Sequence, residues 1–413
     1  MSWESISLSD ALRPLKSSPF TRDELNYSGG QYQNVHYGDI LVRFPSVVDA
    51  EKEGLPYVSE SVEGRCSRCS LLQNGDIIIA DTAEDEAVGK AIEIQGIKGQ
   101  KVVSGLHTMA FRPQEGVFAP GFLGYFLNSS VYHNQLLPLM QGIKVLSISK
   151  TAIRDTVIKY PSYKEQEKIV ASLSGVDDII GALDEAIAKK QQIKEGLMQQ
   201  LLTGKTRLPG FTNDWVELRF EDFISRFATG LNPRSNFVLN DNASNYYITI
   251  KDFVDGVIYF DHCDKVSDEA IKRINERSDL RKGDVLFSSI GRVGDAYVIE
   301  ETPTNWNINE SVFSLRPNPN IIDSHFLYYL IKSQDAQSKF QESITGTTLK
   351  SIKMGHLKEI SCCFPPIIDE QKEIASTIRS IDREILSIET LRKKYRLIKQ
   401  GMMQELLTGK TRL

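Results

Sequence analysis

Thirteen residues, GLMQQLLTGKTRL from Gly196 to Leu208, return 205 positions later as GMMQELLTGKTRL from Gly401 to Leu413. The copies differ only at Leu197/Met402 and Gln200/Glu405. A displacement of about half the 413-residue chain marks a duplicated chain rather than one reused motif. Whatever the first half folds into, the second half is expected to repeat.

The block closes a longer repeated segment. It opens at Pro161 with PSYKEQEKI and at Pro366 with PIIDEQKEI, both of the form P-x-x-x-E-Q-x-x-I. From there Ile169, Leu173, Val176, Ile180, Leu183 and Ile187 fall at alternating steps of four and three, with Lys190 and Lys194 filling later slots. The second copy answers with Ile374, Ile378, Ile381, Ile385 and Ile388, with Arg392 and Lys399 as its polar slots. A sustained period of 3.5 is a coiled-coil seam, where an ordinary surface helix follows 3.6. Proline starts each helix and Thr-Gly stops it. Roughly forty residues at about 1.5 Å each give a rod near 60 Å long. Two unrelated helices, each packed on its own domain, are the plainer alternative, but the matched polar slots and near-identical ends favour a pair. An antiparallel pair is expected, because a tandem duplication closing on itself most simply forms a pseudo-two-fold.

With 41% apolar and 25% charged residues, the chain has the balance of a globular protein of two or three domains. It has no apolar run of the roughly 18 residues that span a bilayer. The start MSWESISLSD has no basic or apolar leader character, so a cytoplasmic protein with no membrane partner is expected. Five cysteines form no disulfide framework; Cys66 and Cys69 have the spacing of half a zinc site, but Cys362 and Cys363 are adjacent and make no second half, so no metal is expected. The net charge of −5 argues against an extended phosphate-binding surface. The two rods carry 17 basic against 14 acidic residues, so any nucleic-acid face on the rest must be a local patch.

The repeat divides the chain into residues 1–160, a rod at 161–208, residues 209–365 and a rod at 366–413, with Leu208-Pro209-Gly210-Phe211 as the hand-over. Strands are expected at Trp3–Asp10, Asp39–Phe44, Gly75–Ala80, Ala91–Ile94 and His107–Arg112, and a helix over Gly121–Leu137. Trp215–Asp222 repeats the opening strand, and Leu280–Phe287 repeats Leu72–Ile79 with its Gly-Asp. Arg316-Pro317 repeats Arg112-Pro113, and Phe326, Leu327 and Tyr329 repeat Phe122, Leu123 and Tyr125. Two stretches are not repeated: 81–90 differs from 289–295, and 141–149 from 345–353. Loops that vary on a kept scaffold are where recognition usually sits.

No enzyme motif survives inspection. Thr203-Gly204-Lys205-Thr206 imitates the end of a P-loop, but the position that needs glycine is Gln199, and Gln404 in the second copy. The motif follows a helix instead of opening one, so a left-handed helix cap at Gly204 and Gly409 is expected. Ser289-Ile290-Gly291-Arg292-Val293-Gly294 lacks the G-x-G start of a dinucleotide fingerprint. It reads either as a tight turn or as a loop whose Arg292 reaches DNA. Phe364-Pro365-Pro366-Ile367 lacks the polar first residue and aromatic last residue of a methyltransferase diproline motif. Gly142–Ser147 and Gly346–Ser351 combine glycine, lysine and hydroxyl side chains suited to phosphates and base edges, although a solvated loop would look the same.

Taken together, the two P-x-x-x-E-Q-x-x-I openings, the two LLTGKTRL endings, the Leu208–Phe211 hand-over with Trp215 after it, and the strands at Gly75 and Gly283 resemble the specificity subunit of type I restriction-modification systems. The resemblance covers essentially the whole chain. It departs in the first unit, where Asp81–Glu86 is acidic and Ser289–Gly294 is small and basic. It implies an α+β fold of two β-rich target-recognition domains related by pseudo-two-fold symmetry and separated by two long helices in an antiparallel coiled coil. It implies a non-catalytic subunit that binds double-stranded DNA at a bipartite, gapped sequence, one half-site per domain, with the helices setting the spacer. Two methyltransferase subunits would dock on it and restriction/translocase subunits would join; S-adenosylmethionine, ATP and magnesium would belong to those partners. The residues expected at DNA are Ser289, Arg292, Thr347, Thr348 and Lys350 for one half-site, and Lys90, Lys144 and Ser147 for the other. A coiled-coil scaffold that joins proteins without touching DNA is the rival reading, which the salt dependence of duplex binding separates.

Overall fold

The computed structural model describes residues 3–234, 236–254, 256–344 and 350–413. The chain divides into two compact units, one combining Met1–Asp184 with Thr390–Leu413, the other Glu185–Glu389. Each long helix therefore begins in one unit and ends in the other. They are Tyr163–Leu201 and Ile368–Leu406, of 39 residues each.

In the first unit the main sheet runs Leu12–Pro14, Thr108–Pro113, Ile77–Ala80, Ala91–Gln95, Val47–Asp49, antiparallel except for the last pair. Its central strand is wholly buried, with Ile77 and Ile79 in one apolar cluster and Ile78 and Ala80 in another. A strand covered on both faces reads as an unbroken apolar run, which Ile77-Ile78-Ile79-Ala80 is. In the second unit the order is Ile224–Thr229, Val312–Pro317, Val285–Ser288, Ala296–Val298, all antiparallel. Val285 and Phe287 face one cluster there and Leu286 the other. Each unit also pairs two strands in parallel, Tyr32–Val35 with Lys101–Ser104 and Asn245–Ile248 with Trp306–Ile308.

The repeated Gly-Asp and Arg-Pro pairs turn out to be partners. Arg112 grips the buried Asp76 carboxylate with Nε at 2.8 Å and Nη2 at 2.7 Å, and Arg316 grips Asp284 at 2.8 and 3.0 Å. In both units the carboxylate also accepts a backbone N–H three residues back, from Gln73 and from Arg281. Such a two-pronged, fully bonded buried pair ties the central strand to its neighbour.

The structure corrects three local expectations. Tyr37–Val42 is a helix instead of a strand, with His36 Nδ1 accepting from the Gly38 N–H at its start. Ile40 and Phe44, four apart, share the buried face while Val42 is 89% exposed, a spacing that alternation could not give. Trp3–Asp10 is a strand only over Glu4–Ser7, after which Ser7 caps a helical turn at Leu8–Ala11. Gly121–Leu137 is two helices, Phe122–Phe126 and Ser130–Leu136. Asn128 separates them by bonding Ala91 and Gly124, and Ser129 caps the second.

Within each unit the long helices run antiparallel. In the first, Asp177 and Asp184 meet Lys399 and Arg392, both at 2.6 Å, and Glu165 meets Arg412. In the second, Lys194 meets Asp382 at 2.6 Å, Lys190 meets Glu384 and Arg207 meets Glu370. Partner numbers fall as sequence numbers rise. The polar slots of the 3.5 period are thus ion-paired across the seam. The apolar slots divide their work. Ile187, Ile381, Ile385 and Ile388 pack on one another with Leu197. Ile169 and Leu173 join the first unit's core beside Leu406 and Leu407, and Ile374 and Ile378 join the second's beside Leu201 and Leu202. Val176 is buried, and Ile180 and Leu183 are half-buried. Each fully buried leucine contributes about 2 kcal/mol.

The repeated ends dock in the same way. Gly204 has φ +69° with the Trp215 indole 3.2 Å from where a Cβ would stand, and Gly409 has φ +73° with Trp3 at 3.0 Å. Left-handed backbone and a ring at the Cα surface both demand glycine. Gly204→Ala is expected to destabilise the second unit by about 1–2 kcal/mol, read as a lower urea midpoint at unchanged m. No shift in midpoint would mean that neither the left-handed backbone nor the indole contact penalises a Cβ there.

Candidate nucleic-acid interface

The two stretches that break the repeat meet in space, and do so in both units. In the first, Thr82–Ala83 pairs with Leu146–Ser147, and the Ile148 N–H donates to the Asp81 carbonyl at 2.9 Å. In the second, Ile290 bridges Ser351, and the Ile352 N–H donates to the Ser289 carbonyl at 2.9 Å. The segment after the central strand and the segment before the long helix thus form one surface, at the same place in the scaffold and with different side chains.

In the first unit this surface is a cavity of about 410 Å³ lined by Asp81, Thr82, His107, Gln141, Ser147 and Lys150 among others. Thr82 Oγ1 donates to Asp81 Oδ1 at 2.8 Å, and His107 Nδ1 lies 3.3 Å from the same oxygen. The His107 ring stands edge-on to Tyr37 at 5.2 Å, on a backbone with φ +53°. A left-handed histidine is uncommon, and such conformations concentrate at functional sites. Of the residues expected here, Ser147 lines the cavity and Lys144 is exposed on the neighbouring hairpin, which Gln141 and Ser147 close. Beside Lys144, Ile143 is 99% exposed. Lys90 is elsewhere: it is half-buried, its ammonium donates to the Leu41 carbonyl at 3.0 Å, and burial pushes its pKa below the ordinary lysine value. Asp81 and His107 were not among the expected residues. The acidic departure at Asp81 was the available signal; nothing in the sequence marks His107 as left-handed.

In the second unit Ser289 is buried, and its hydroxyl donates to the Ser311 carbonyl at 2.7 Å. Arg292 is 55% exposed at its side chain and engaged on one edge, with Nε on Asp295 at 2.7 Å and Nη2 on the Ile250 and Phe253 carbonyls at 3.1 and 3.3 Å. It both closes the turn and faces outward. Lys350 is exposed, and its carbonyl accepts from Gly291. Thr347 and Thr348 lie outside the described residues. A second cleft of about 540 Å³, at the start of helix Asp268–Ser278, is lined by Asn236, Asn240, Glu269 and Arg273 with the 81%-exposed Val238; sequence reasoning missed it. Arg292→Ala is expected to cost about 1–3 kcal/mol of discrimination at one base pair, read by competition among duplexes differing at single positions. Equal weakening on every sequence would make it a phosphate contact.

Cys66 sits in a small apolar cluster with Phe20, Val58 and Val103, and burial pushes its thiol up to about 11. Among the described residues no helix is long and apolar enough to cross a membrane.

Residues 212–398 match the type I restriction modification DNA specificity domain. Along its whole length the chain is 23% identical to the putative type I restriction enzyme MjaX specificity subunit of Methanocaldococcus jannaschii, covering 94% of that protein. The second half of the chain thus matches a type I DNA specificity domain, and its whole length is similar to type I specificity subunits. The MjaVIII specificity subunit of the same organism is also 23% identical, over 92% of this chain and 93% of its own. The solved type I S subunit from M. genitalium shares the fold at a TM-score of 0.60, with 13% identity, 98% of this chain and 96% of the other covered. In this chain the two loop surfaces described above are where the halves differ.

Proposed function

We propose that the chain reads a bipartite, gapped DNA sequence, one half-site per unit, as the non-catalytic subunit of a type I restriction-modification complex. The observation that carries this reading is the doubled loop surface: the same two non-repeated segments converge at the same place on two copies of one scaffold, with Asp81, Thr82 and Ser147 at one and Arg292 and Lys350 at the other. A kept frame with changed contact chemistry is what two different half-sites require. The long helices would dock two methyltransferase subunits, which restriction/translocase subunits join. S-adenosylmethionine, ATP and magnesium would be bound by those partners. The net charge of −5 is compatible with this if partners supply many of the phosphate contacts.

The test is methylation mapping of DNA from cells carrying the chain with its methyltransferase subunits. A two-part adenine motif separated by unread positions is expected. An ungapped motif, or none that depends on this chain, overturns the reading. Purified chain on mixed duplexes should also lose affinity steeply with salt, which a protein-only scaffold would not.

A further inference from the structure

Resting on that reading, we propose that the Asp81–His107 cleft is the base-reading site of the first unit and selects a base pair presenting an exocyclic amino group, cytosine N4, in the major groove. Asp81 takes the place that Ser289 holds in the second unit: each follows the central strand, and each gives its carbonyl to the N–H at the far segment, Ile148 and Ile352. A carboxylate there cannot be a phosphate contact, because two anions repel. It can only accept, and the amino group of cytosine is the major-groove donor that aspartate suits.

The surroundings fix how it accepts. Thr82 Oγ1 donates to Oδ1 at 2.8 Å and His107 Nδ1 lies 3.3 Å from it, whereas Oδ2 has no hydrogen bond to any described residue. One oxygen is thus anchored and the other left for a ligand. His107 reaches the site only because its backbone is left-handed, φ +53°, between Gly105 and the strand Thr108–Pro113, and its ring leans on Tyr37. Gln141, Ser147 and Lys150 line the same cavity and give it polar groups of both kinds. The arrangement favours a pyrimidine amino group and rejects the O4 of thymine, which would set two acceptors against each other.

The experiment is selection from a library of randomised duplexes by the full chain with its methyltransferase subunits, wild type beside Asp81→Asn, which keeps the shape and removes the charge. The expected result is a loss of about 5- to 150-fold in discrimination at one base pair of one half-site, with the other half-site unchanged. His107→Asn, which tolerates the left-handed backbone, is expected to weaken the same position by a smaller factor, and it keeps the test open if Asp81→Asn folds poorly. A wild-type two-part preference left untouched by both variants overturns this assignment, and so does uniform weakening on all sequences or a preference for adenine N6 at that position. A wild type with no sequence preference overturns the parent reading instead.

Discussion

Arg207→Ala is expected to destabilise the second unit by about 3 kcal/mol, because it strands a carboxylate that has no other partner of opposite charge among the described residues. Glu370 is fully buried and takes Arg207 Nε and Nη2 at 2.7 and 2.8 Å. Removing one member of a buried pair costs about 3–5 kcal/mol; the low end applies because Arg207 is itself 25% exposed, so water can reach part of the site. The same substitution also loses the bond from Nη1 to the Asn213 carbonyl, which holds the hand-over after the helix. The measurement is urea unfolding of the full chain, with hydrogen exchange to locate the loss at the start of Ile368–Leu406. Arg207→Ala combined with Glu370→Leu should recover most of the loss, since no charge is then left buried. If the double variant is no better than the single one, the penalty lies in packing against Trp215, over which the guanidinium sits at 5.8 Å from the ring centre. Arg412 makes the equivalent pair with Glu165 in the first unit, but it is 42% exposed, so Arg412→Ala should cost less.

These pairs explain why so much of the architecture was legible. The repeated segments P-x-x-x-E-Q and T-G-K-T-R lie far apart in sequence, yet the glutamate of one binds the arginine of the other in each unit. Matching ends were therefore matching contacts, and the 3.5 period marked which side chains face a partner. The recognition surfaces were legible only in outline. That 81–90 and 141–149 both break the repeat marked them as candidate recognition segments, whereas their meeting in one surface is a matter of tertiary pairing. Which side chains face outward depends on tertiary hydrogen bonding, and that is not written locally: Lys90 spends its ammonium on Leu41, Ser289 its hydroxyl on Ser311, and His107 turns outward through one backbone angle. Tyr37–Val42 was misread for a related reason, since a short apolar run has no period of its own until Ile40 and Phe44 find a common core.

The glutamine of the same motif should prove at least as costly to lose. Gln371 is fully buried, and its amide is used completely by backbone: Oε1 accepts from the Asp323 N–H at 2.8 Å, and Nε2 donates to the Ile321 and Pro365 carbonyls at 2.9 and 2.8 Å. It joins the start of the long helix to the loop that caps helix Ser324–Lys332. Gln371→Ala leaves one N–H and two carbonyls unpaired. A stranded buried N–H costs about 2 kcal/mol and each carbonyl, with a second lone pair still to use, about 1 kcal/mol, for a loss of about 4 kcal/mol. Gln371→Glu keeps the shape and the acceptor but donates to neither carbonyl when ionised and to only one when protonated, so it should not rescue fully. Gln166 makes the same three kinds of bond in the first unit, to Ala119, Val117 and Pro161, so Gln166→Ala should lose a similar amount there. Thermal and urea unfolding of both variants decide it. A loss below about 1 kcal/mol at both sites would mean that water replaces the amide without penalty, and the reason this glutamine appears twice would then have to be sought outside the fold.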